Sequence, residues 1–265
     1  MILNRFSQLR GGAAAFLRYR SLIRALWNQY RNVVRQKQLG IGELFSVSKV
    51  KRFKNSNTLF IMGGGPSINK LTKDQLDCIK RHDTFGFTNW TMHDLIPTYY
   101  MNEFKNRTPE LEQCGYQELY NLVKRKEDYS KTAIILRAGE TDFSSVKGFC
   151  DLGFPFKHVY YALDIPVHGK TQLDFHHSVD FLKKSGLLSS QYLLLNKTAS
   201  IFRIISFGRA LGYTKIVLCG IDLTGDKYFF EDERELYEAK DLLFPVITAH
   251  RGSVHGAVRA ADVPV

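Results

Sequence analysis

Apolar and polar residues follow two rhythms along the chain. Short β-rich runs at 58–63 (TLFIMG), 84–88 (TFGFT), 98–102 (TYYMN), 132–137 (TAIILR) and 215–219 (KIVLC) predict strands. Segments 70–81, 110–126, 198–212 and 231–241 read as helices. Strands alternating with helices favour an α/β fold with a mainly parallel sheet and helices on both faces. Ligands of such sheets bind beyond the carboxyl ends of the strands. No internal repeat or low-complexity tract interrupts the pattern.

A third region stands apart. From Ala13 to Leu39, the apolar residues Phe16, Tyr19, Ile23, Leu26, Trp27, Tyr30, Val33 and Val34 recur at spacings of three and four, while Arg20, Arg24, Arg31 and Arg35 form another stripe. This predicts an amphipathic helix with a basic face. Two readings are open: a helix packed on the domain with its charged side in water, or one lying on an anionic membrane surface.

Charge sharpens that division. The 265-residue chain carries +11, and residues 1–54 hold twelve Lys/Arg against the single acid Glu43, so 25 basic and 25 acidic residues are left for the remainder. The chain therefore divides into a basic N-terminal segment, 1–54, and a neutral domain, 55–265. No aromatic-interleaved basic motif follows the first segment, so no nucleic-acid partner is expected. Cys78, Cys114, Cys150 and Cys219 lie far apart, without zinc spacing or a dense disulfide framework, which predicts a reducing, cytoplasmic setting. No apolar run reaches about 18 residues and no signal-peptide pattern opens the chain, so a location peripheral to the inner membrane is expected rather than a spanning one. His168 and the pair His176-His177 have no carboxylate-rich pattern around them; they read as loop residues, and no metal site is expected.

Polar residues collect at the predicted strand ends. Gly63-Gly64-Gly65-Pro66-Ser67 follows the first strand, Asn89 the second, and Asn102 closes the third; Asn196 and Lys197 precede the helix near Thr198, and Gly220-Ile221-Asp222 ends KIVLC. Glycine backbone, two amides, a helix start and a carboxylate on one rim resemble a nucleotide site. GGGPS is neither GxGxxG nor GxxxxGK[ST], which argues against a dinucleotide turn and against a Walker loop. Pro66 suits a first helical turn, and free N–H groups there would favour an anion. Taken alone, the stretch fits a structural turn as well as a ligand loop.

The motifs GGGPSI, FTNW, YYMNEF, RALGYTKIVLCGIDLTGDKYFF and TAHRG occur in an order and spacing that resemble the bacterial lipooligosaccharide sialyltransferases, glycosyltransferase family 42, across most of residues 58–255. The resemblance implies a Rossmann-like, metal-independent inverting transferase. It would move sialic acid or a related sugar from a CMP-sugar to a glycan or glycolipid acceptor in lipopolysaccharide, lipooligosaccharide or capsule biosynthesis. No cofactor beyond the CMP-sugar donor is implied, and a homo-oligomeric state is left open.

Position by position, the resemblance implies that Asn89, Asn102 and Ser200 hold the nucleotide, that Gly63 and Gly65 form the first turn, and that Asp222 lies on the same side of the site. Gly64 stands where the family pattern has an asparagine, Lys197 where it has an arginine. Tyr228 matches one of two tyrosines that hydrogen-bond the departing phosphate; the other position is Thr224, whose hydroxyl still donates one bond. The general base would be a histidine, whose ordinary pKa near 6.5 suits proton transfer at neutral pH. His250 in TAHRG is preferred over His255 in SVHG because it follows the strand-like PVITA. The family continues with a helix and a strand beyond Val265, so two readings are open: a domain truncated at its C-terminus, or one in which those elements are dispensable. Two alternatives remain: a related enzyme acting on another phosphorylated ligand, as the pterin diphosphokinases do with ATP and magnesium, or a degenerate nucleotide-binding or membrane-associated protein.

Overall fold

Nearly continuous apolar runs are what a parallel sheet covered on both faces requires of its strands, and the chain builds such a sheet. The computed structural model describes residues 12–38, 42–102, 109–137, 156–166, 172–187, 193–196, 200–222, 227–231, 234–238 and 240–243. Its strands are β1 (Glu43–Leu44), β2 (Thr58–Met62), β3 (Asp83–Phe87), β4 (Tyr99–Asn102), β5 (Ala133–Arg137), β6 (Val159–Pro166), β7 (Leu193–Asn196) and β8 (Lys215–Cys219). The helices are α1 (Gly12–Gln38), α2 (Val47–Val50), α3 (Lys73–Lys80), α4 (Pro109–Lys124), α5 (Gln172–Lys184), α6 (Ser200–Ala210) and α7 (Arg234–Glu238). The strand order is β1-β6-β5-β4-β3-β2-β8, every pair is parallel, and β7 joins the second half of β6.

Alternation along the strands sends side chains into two cores. On one face Leu59, Ile61, Phe85, Tyr99, Met101 and Ile135 meet Ile204 and Phe207 of α6, Val50 of α2 and Phe45 just before it. On the other, Met62, Tyr100, Ile134, Leu136 and Leu163 meet Leu22, Leu26 and Val33 of α1, Ile79 of α3, Leu119 and Leu122 of α4, and Phe181 and Leu182 of α5.

Several elements depart from the sequence pattern. Segment 70–81 does not start as one helix: Pro66–Lys70 is a 3₁₀ turn, and α3 begins only after Thr72. Thr72 and Gln75 form a reciprocal capping box, with Gln75 N donating to Thr72 Oγ1 at 3.3 Å and Thr72 N donating to Gln75 Oε1 at 2.9 Å, which pins the start there. His176 and His177 lie on α5 rather than in a loop, with His176 exposed. Val179 and Leu182, three apart on that helix, face the core and account for its formation. His168 lies outside the described residues.

The N-terminal helix is joined to the sheet. Leu22, Leu26, Gln29 and Val33 form its buried stripe. The Gln29 amide closes on both backbone groups of Asp164, donating to its carbonyl at 3.0 Å and accepting from its N–H at 2.7 Å. Trp27, Tyr30 and Val34 stay exposed. The eight apolar residues of the sequence stripe thus do not share one face.

The amino end of the sheet is closed by its own polar groups. Buried Asp83 accepts from Asn55 N at 2.9 Å, Ser56 N at 3.0 Å and Tyr213 Oη at 2.7 Å. Burial, reinforced by its neighbours Tyr99 and Asp83, holds the Tyr213 phenol far above its ordinary pKa, so it stays a neutral donor. Among the described residues, Asn89 Oδ1 and Asn102 Oδ1 are buried without a hydrogen-bond partner at the opposite, carboxyl end, whereas His82 Nδ1 and Tyr129 Oη are so at the amino end.

Candidate functional site

The strand order creates a switch point. From β2 the chain moves through β3, β4, β5 and β6 in one direction and then returns to β8 on the other side of β2. Loops leaving the carboxyl ends of β2 and β8 are the place where such sheets take ligands. Here those loops are Gly63-Gly64-Gly65 and Gly220-Ile221-Asp222.

The two loops stay zipped past the strands. Gly63 N–H donates to Cys219 O at 2.7 Å and Gly65 N–H to Gly220 O at 2.8 Å. A Cβ on Gly63 would lie 2.4 Å from Gly220 O, and one on Gly65 2.2 Å from Asp222 Oδ2. Asp222 then grips the start of the Pro66 turn: Ser67 N donates to Oδ2 at 2.9 Å and Ser67 Oγ to Oδ1 at 2.6 Å. The N–H groups of Gly63, Gly65 and Ser67 are therefore not free for a ligand anion. The negative charge favoured at this turn is supplied by the Asp222 carboxylate, because the parallel neighbour β8 ends beside it.

Tyr228 closes over the same turn. Phe229 N donates to Gly64 O at 2.9 Å, and Asn69 Nδ2 donates to Phe229 O at 2.7 Å. The Tyr228 ring stacks on Phe230 with centroids 5.4 Å apart, and its Cδ1 would be 2.8 Å from a Cβ on Gly64. A larger side chain at position 64 would collide with this ring. Glycine at 64 and the present seat of Tyr228 therefore go together.

The next two strands bring the amides. Thr88, just past β3, has φ +51°, a left-handed conformation that a β-branched residue adopts only under constraint. Tyr100 Oη holds its carbonyl at 2.6 Å. This bend turns the chain into the 3₁₀ segment Thr88–Met92 and buries Asn89. Asn102, the last residue of β4, is fully buried and donates from Nδ2 to Glu118 Oε2 of α4 at 3.1 Å. With its nitrogen on Glu118, the Asn102 amide presents Oδ1 elsewhere. Asn89 Oδ1 and Asn102 Oδ1 are both buried and accept no hydrogen bond among the described residues. A buried acceptor left this way costs about 1 to 3 kcal/mol unless a ligand donates to it.

Asn102, Asn89, Gly63–Gly65 and Asp222 thus occupy the ends of four neighbouring strands, β4, β3, β2 and β8. At a strand spacing of about 4.8 Å the rim is roughly 14 Å long. Ser200 opens α6 at the same end of the sheet but beyond β4, where its helix is tied to β6. Arg203 Nε donates to Asp164 Oδ1 at 2.8 Å, and Arg137 Nε, at the end of β5, donates to Asp164 Oδ2 at 3.0 Å. The sequence pattern did not single out this buried triad, nor Glu118, nor the strain at Thr88. A charged residue inside the apolar run VYYALDIP was the available signal for the triad. Thr224, His250, His255 and Lys197 lie outside the described residues.

One titratable side chain supports Tyr228 indirectly. His93 stacks on Trp90 with centroids 4.3 Å apart and meets Phe229 edge-on at 5.5 Å, while its Nδ1 accepts from Leu95 N at 2.9 Å. Burial, only partly opposed by the Asp94 carboxylate, pushes its pKa down to about 4. The unfolded chain, with an ordinary imidazole near 6.5, takes the proton first. Stability present above pH 6.5 is therefore lost as pH falls towards 4, by about 3 kcal/mol in total. Urea unfolding at pH 7, 5.5 and 4.5 is expected to show this decline, and His93→Phe to flatten it. An unchanged slope in the variant would contradict the assignment.

The carboxyl-end rim is accordingly a candidate ligand site built by this chain's own loops; no protein-family model and no curated protein matches the sequence.

Proposed function

We propose that the rim is a CMP-sugar site and that the chain is an inverting, metal-independent glycosyltransferase acting on a surface glycan or glycolipid. The observation that carries this reading is the pair of buried amide oxygens, Asn89 Oδ1 and Asn102 Oδ1, which accept no hydrogen bond among the described residues and lie at adjoining strand ends. They call for a ligand that donates hydrogen bonds, as the amino group of cytosine and the hydroxyls of ribose do. With Asp222 filling the anion position of the Pro66 turn, a donor phosphate is excluded there by like charge and is left to the side of Tyr228.

In the proposed reaction an acceptor hydroxyl oxygen bonds to the anomeric carbon as the bond from that carbon to the phosphate oxygen breaks. His250 takes the hydroxyl proton, and CMP departs with the electron pair. The Tyr228 phenol and the Thr224 hydroxyl donate to the phosphate as its charge grows. Inversion follows from attack opposite the leaving group. A second reading, a nucleotide-binding protein without transfer activity, draws on the same Asp222 carboxylate, since a filled anion position removes one phosphate contact.

CMP release from CMP-sialic acid, with a galactose-terminated acceptor present, tests the proposal. His250→Ala is expected to lower turnover by about 10²-fold or more, with CMP binding kept, and His255→Ala to leave turnover unchanged. Loss in His255→Ala with full turnover in His250→Ala would overturn the choice of base. CMP binding without release of CMP by the wild type would favour the second reading.

A further inference from the structure

Helix α1 carries more apolar surface than its contact with the sheet uses. Its buried stripe, Leu22, Leu26, Gln29 and Val33, faces β6. Trp27, Tyr30 and Val34, respectively 45%, 41% and 37% exposed, form a second apolar stripe. On a helix of 3.6 residues per turn this second stripe lies about 100° round from the first, and Arg20, Arg24, Arg31 and Arg35 lie roughly opposite the buried side. All four arginines are exposed. Trp27 and Tyr30 sit side by side with ring centroids 6.1 Å apart. The helix contains six Lys/Arg and no Asp or Glu.

We infer that this face of α1 is a docking surface for an anionic lipid bilayer, with Trp27, Tyr30 and Val34 entering the headgroup boundary and the arginine row pairing with lipid phosphates. The inference rests on α1 alone and does not depend on the transfer reaction. Aromatic rings with a polar edge are suited to the boundary between water and acyl chains, and a basic row supplies attraction specific to anionic lipid. Among the described residues no helix is long and apolar enough to cross a membrane, so the contact is a surface one. A second copy of the chain fits the face poorly. A two-fold contact would bring two acid-free arginine rows together, and like charges at short range oppose association.

The same geometry assigns separate roles to residues that look equivalent in the sequence. Leu26 and Val33 hold the helix to the sheet, whereas Trp27 and Val34, one residue further along, face outward. Substitutions in the outward set leave the fold in place, which makes the docking surface testable in the full chain.

Vesicle flotation and tryptophan emission are the measurements. The chain has two tryptophans, and Trp90 is buried, so an emission change on adding vesicles reports Trp27. The full chain is expected to float with phosphatidylcholine vesicles containing phosphatidylglycerol, with a blue-shifted emission, and to be released by high salt. Each basic residue at an anionic surface is worth roughly five-fold in partitioning, so an Arg24→Gln, Arg31→Gln chain should lose about twenty-five-fold. Trp27→Ser with Tyr30→Ser should also release the chain and abolish the emission shift, with an unchanged unfolding temperature showing that the fold persists. Equal flotation with pure phosphatidylcholine would overturn the inference. So would variants that float like the wild type, binding to RNA but not to vesicles, or a dimer that Trp27→Ser with Tyr30→Ser breaks.

Discussion

Asp164→Ala is expected to lower the free energy of unfolding by about 4 to 5 kcal/mol, the largest loss of any single side chain considered. Asp164, Arg137 and Arg203 are 4%, 6% and 1% exposed, and the two guanidiniums reach opposite oxygens of one carboxylate. Removing that carboxylate leaves two buried positive charges across the gap it filled, and neither can be rehydrated without opening the sheet. Breaking a buried pair typically costs about 3 to 5 kcal/mol for this reason. Asp164→Asn keeps the shape but removes the same charge and turns an NH2 donor toward one guanidinium, so it should cost nearly as much. The Gln29 contact is to the Asp164 backbone and survives both changes, which confines the effect to charge. Denaturant unfolding reads it directly. A loss below about 1 kcal/mol in the alanine variant would show that the triad does not hold α6 to β6.

Gly63→Ala is expected to cost about 4 kcal/mol, for a different physical reason. Gly63 needs no unusual dihedral; it needs room. A Cβ there meets Gly220 O and Ile221 Cδ1 at 2.4 Å, and the carbonyl belongs to backbone already locked by the bond from Gly65. Relief would require the β8 loop to part from the β2 loop, taking Asp222 off Ser67 and disturbing the rim. Gly212 is the control. Its φ is +77° but nothing lies within 4 Å of a Cβ, so Gly212→Ala should cost only the left-handed strain, about 1 to 2 kcal/mol, with the rim intact. Comparable losses in the two variants would contradict close approach as the reason for Gly63.

The same distinction between local and distant causes explains what was legible in the sequence. Strands β2, β3, β4, β5 and β8 are readable to within a residue because each is a short apolar run bounded by turn residues, a property of adjacent positions. The sequence pattern misses β6. Its Asp164 breaks the apolar run, and the groups that neutralise it lie 27 and 39 residues away in Arg137 and Arg203. Two residues of β1 are too few to carry a period, and the Leu-rich β7 does not distinguish strand from helix. For α1 the period is legible, but which stripe faces the protein depends on β6, which no window around residue 27 contains.

The candidate site divides along the same line. Glycines and amides at strand ends are visible because a strand end is local. That Asp222 spends its carboxylate on Ser67, 155 residues away, is not. Nor is the orientation that Glu118 imposes on Asn102, which needs β4 and α4 to be packed together. Thr88 gives no sequence signal either, since threonine in a left-handed bend is a product of the Tyr100 contact.

The claim that the rim holds a CMP-sugar is tested most directly by ligand-dependent stability of the wild type and Asn89→Ala. CMP at a hundredfold excess over its Kd should stabilise the wild type by about 2.7 kcal/mol. Asn89 Oδ1 accepts no hydrogen bond among the described residues, so Asn89→Ala should leave ligand-free stability within about 1 kcal/mol while removing most of the CMP shift. Stabilisation by ATP with magnesium but not by CMP, or a CMP shift unchanged in Asn89→Ala, would contradict the account.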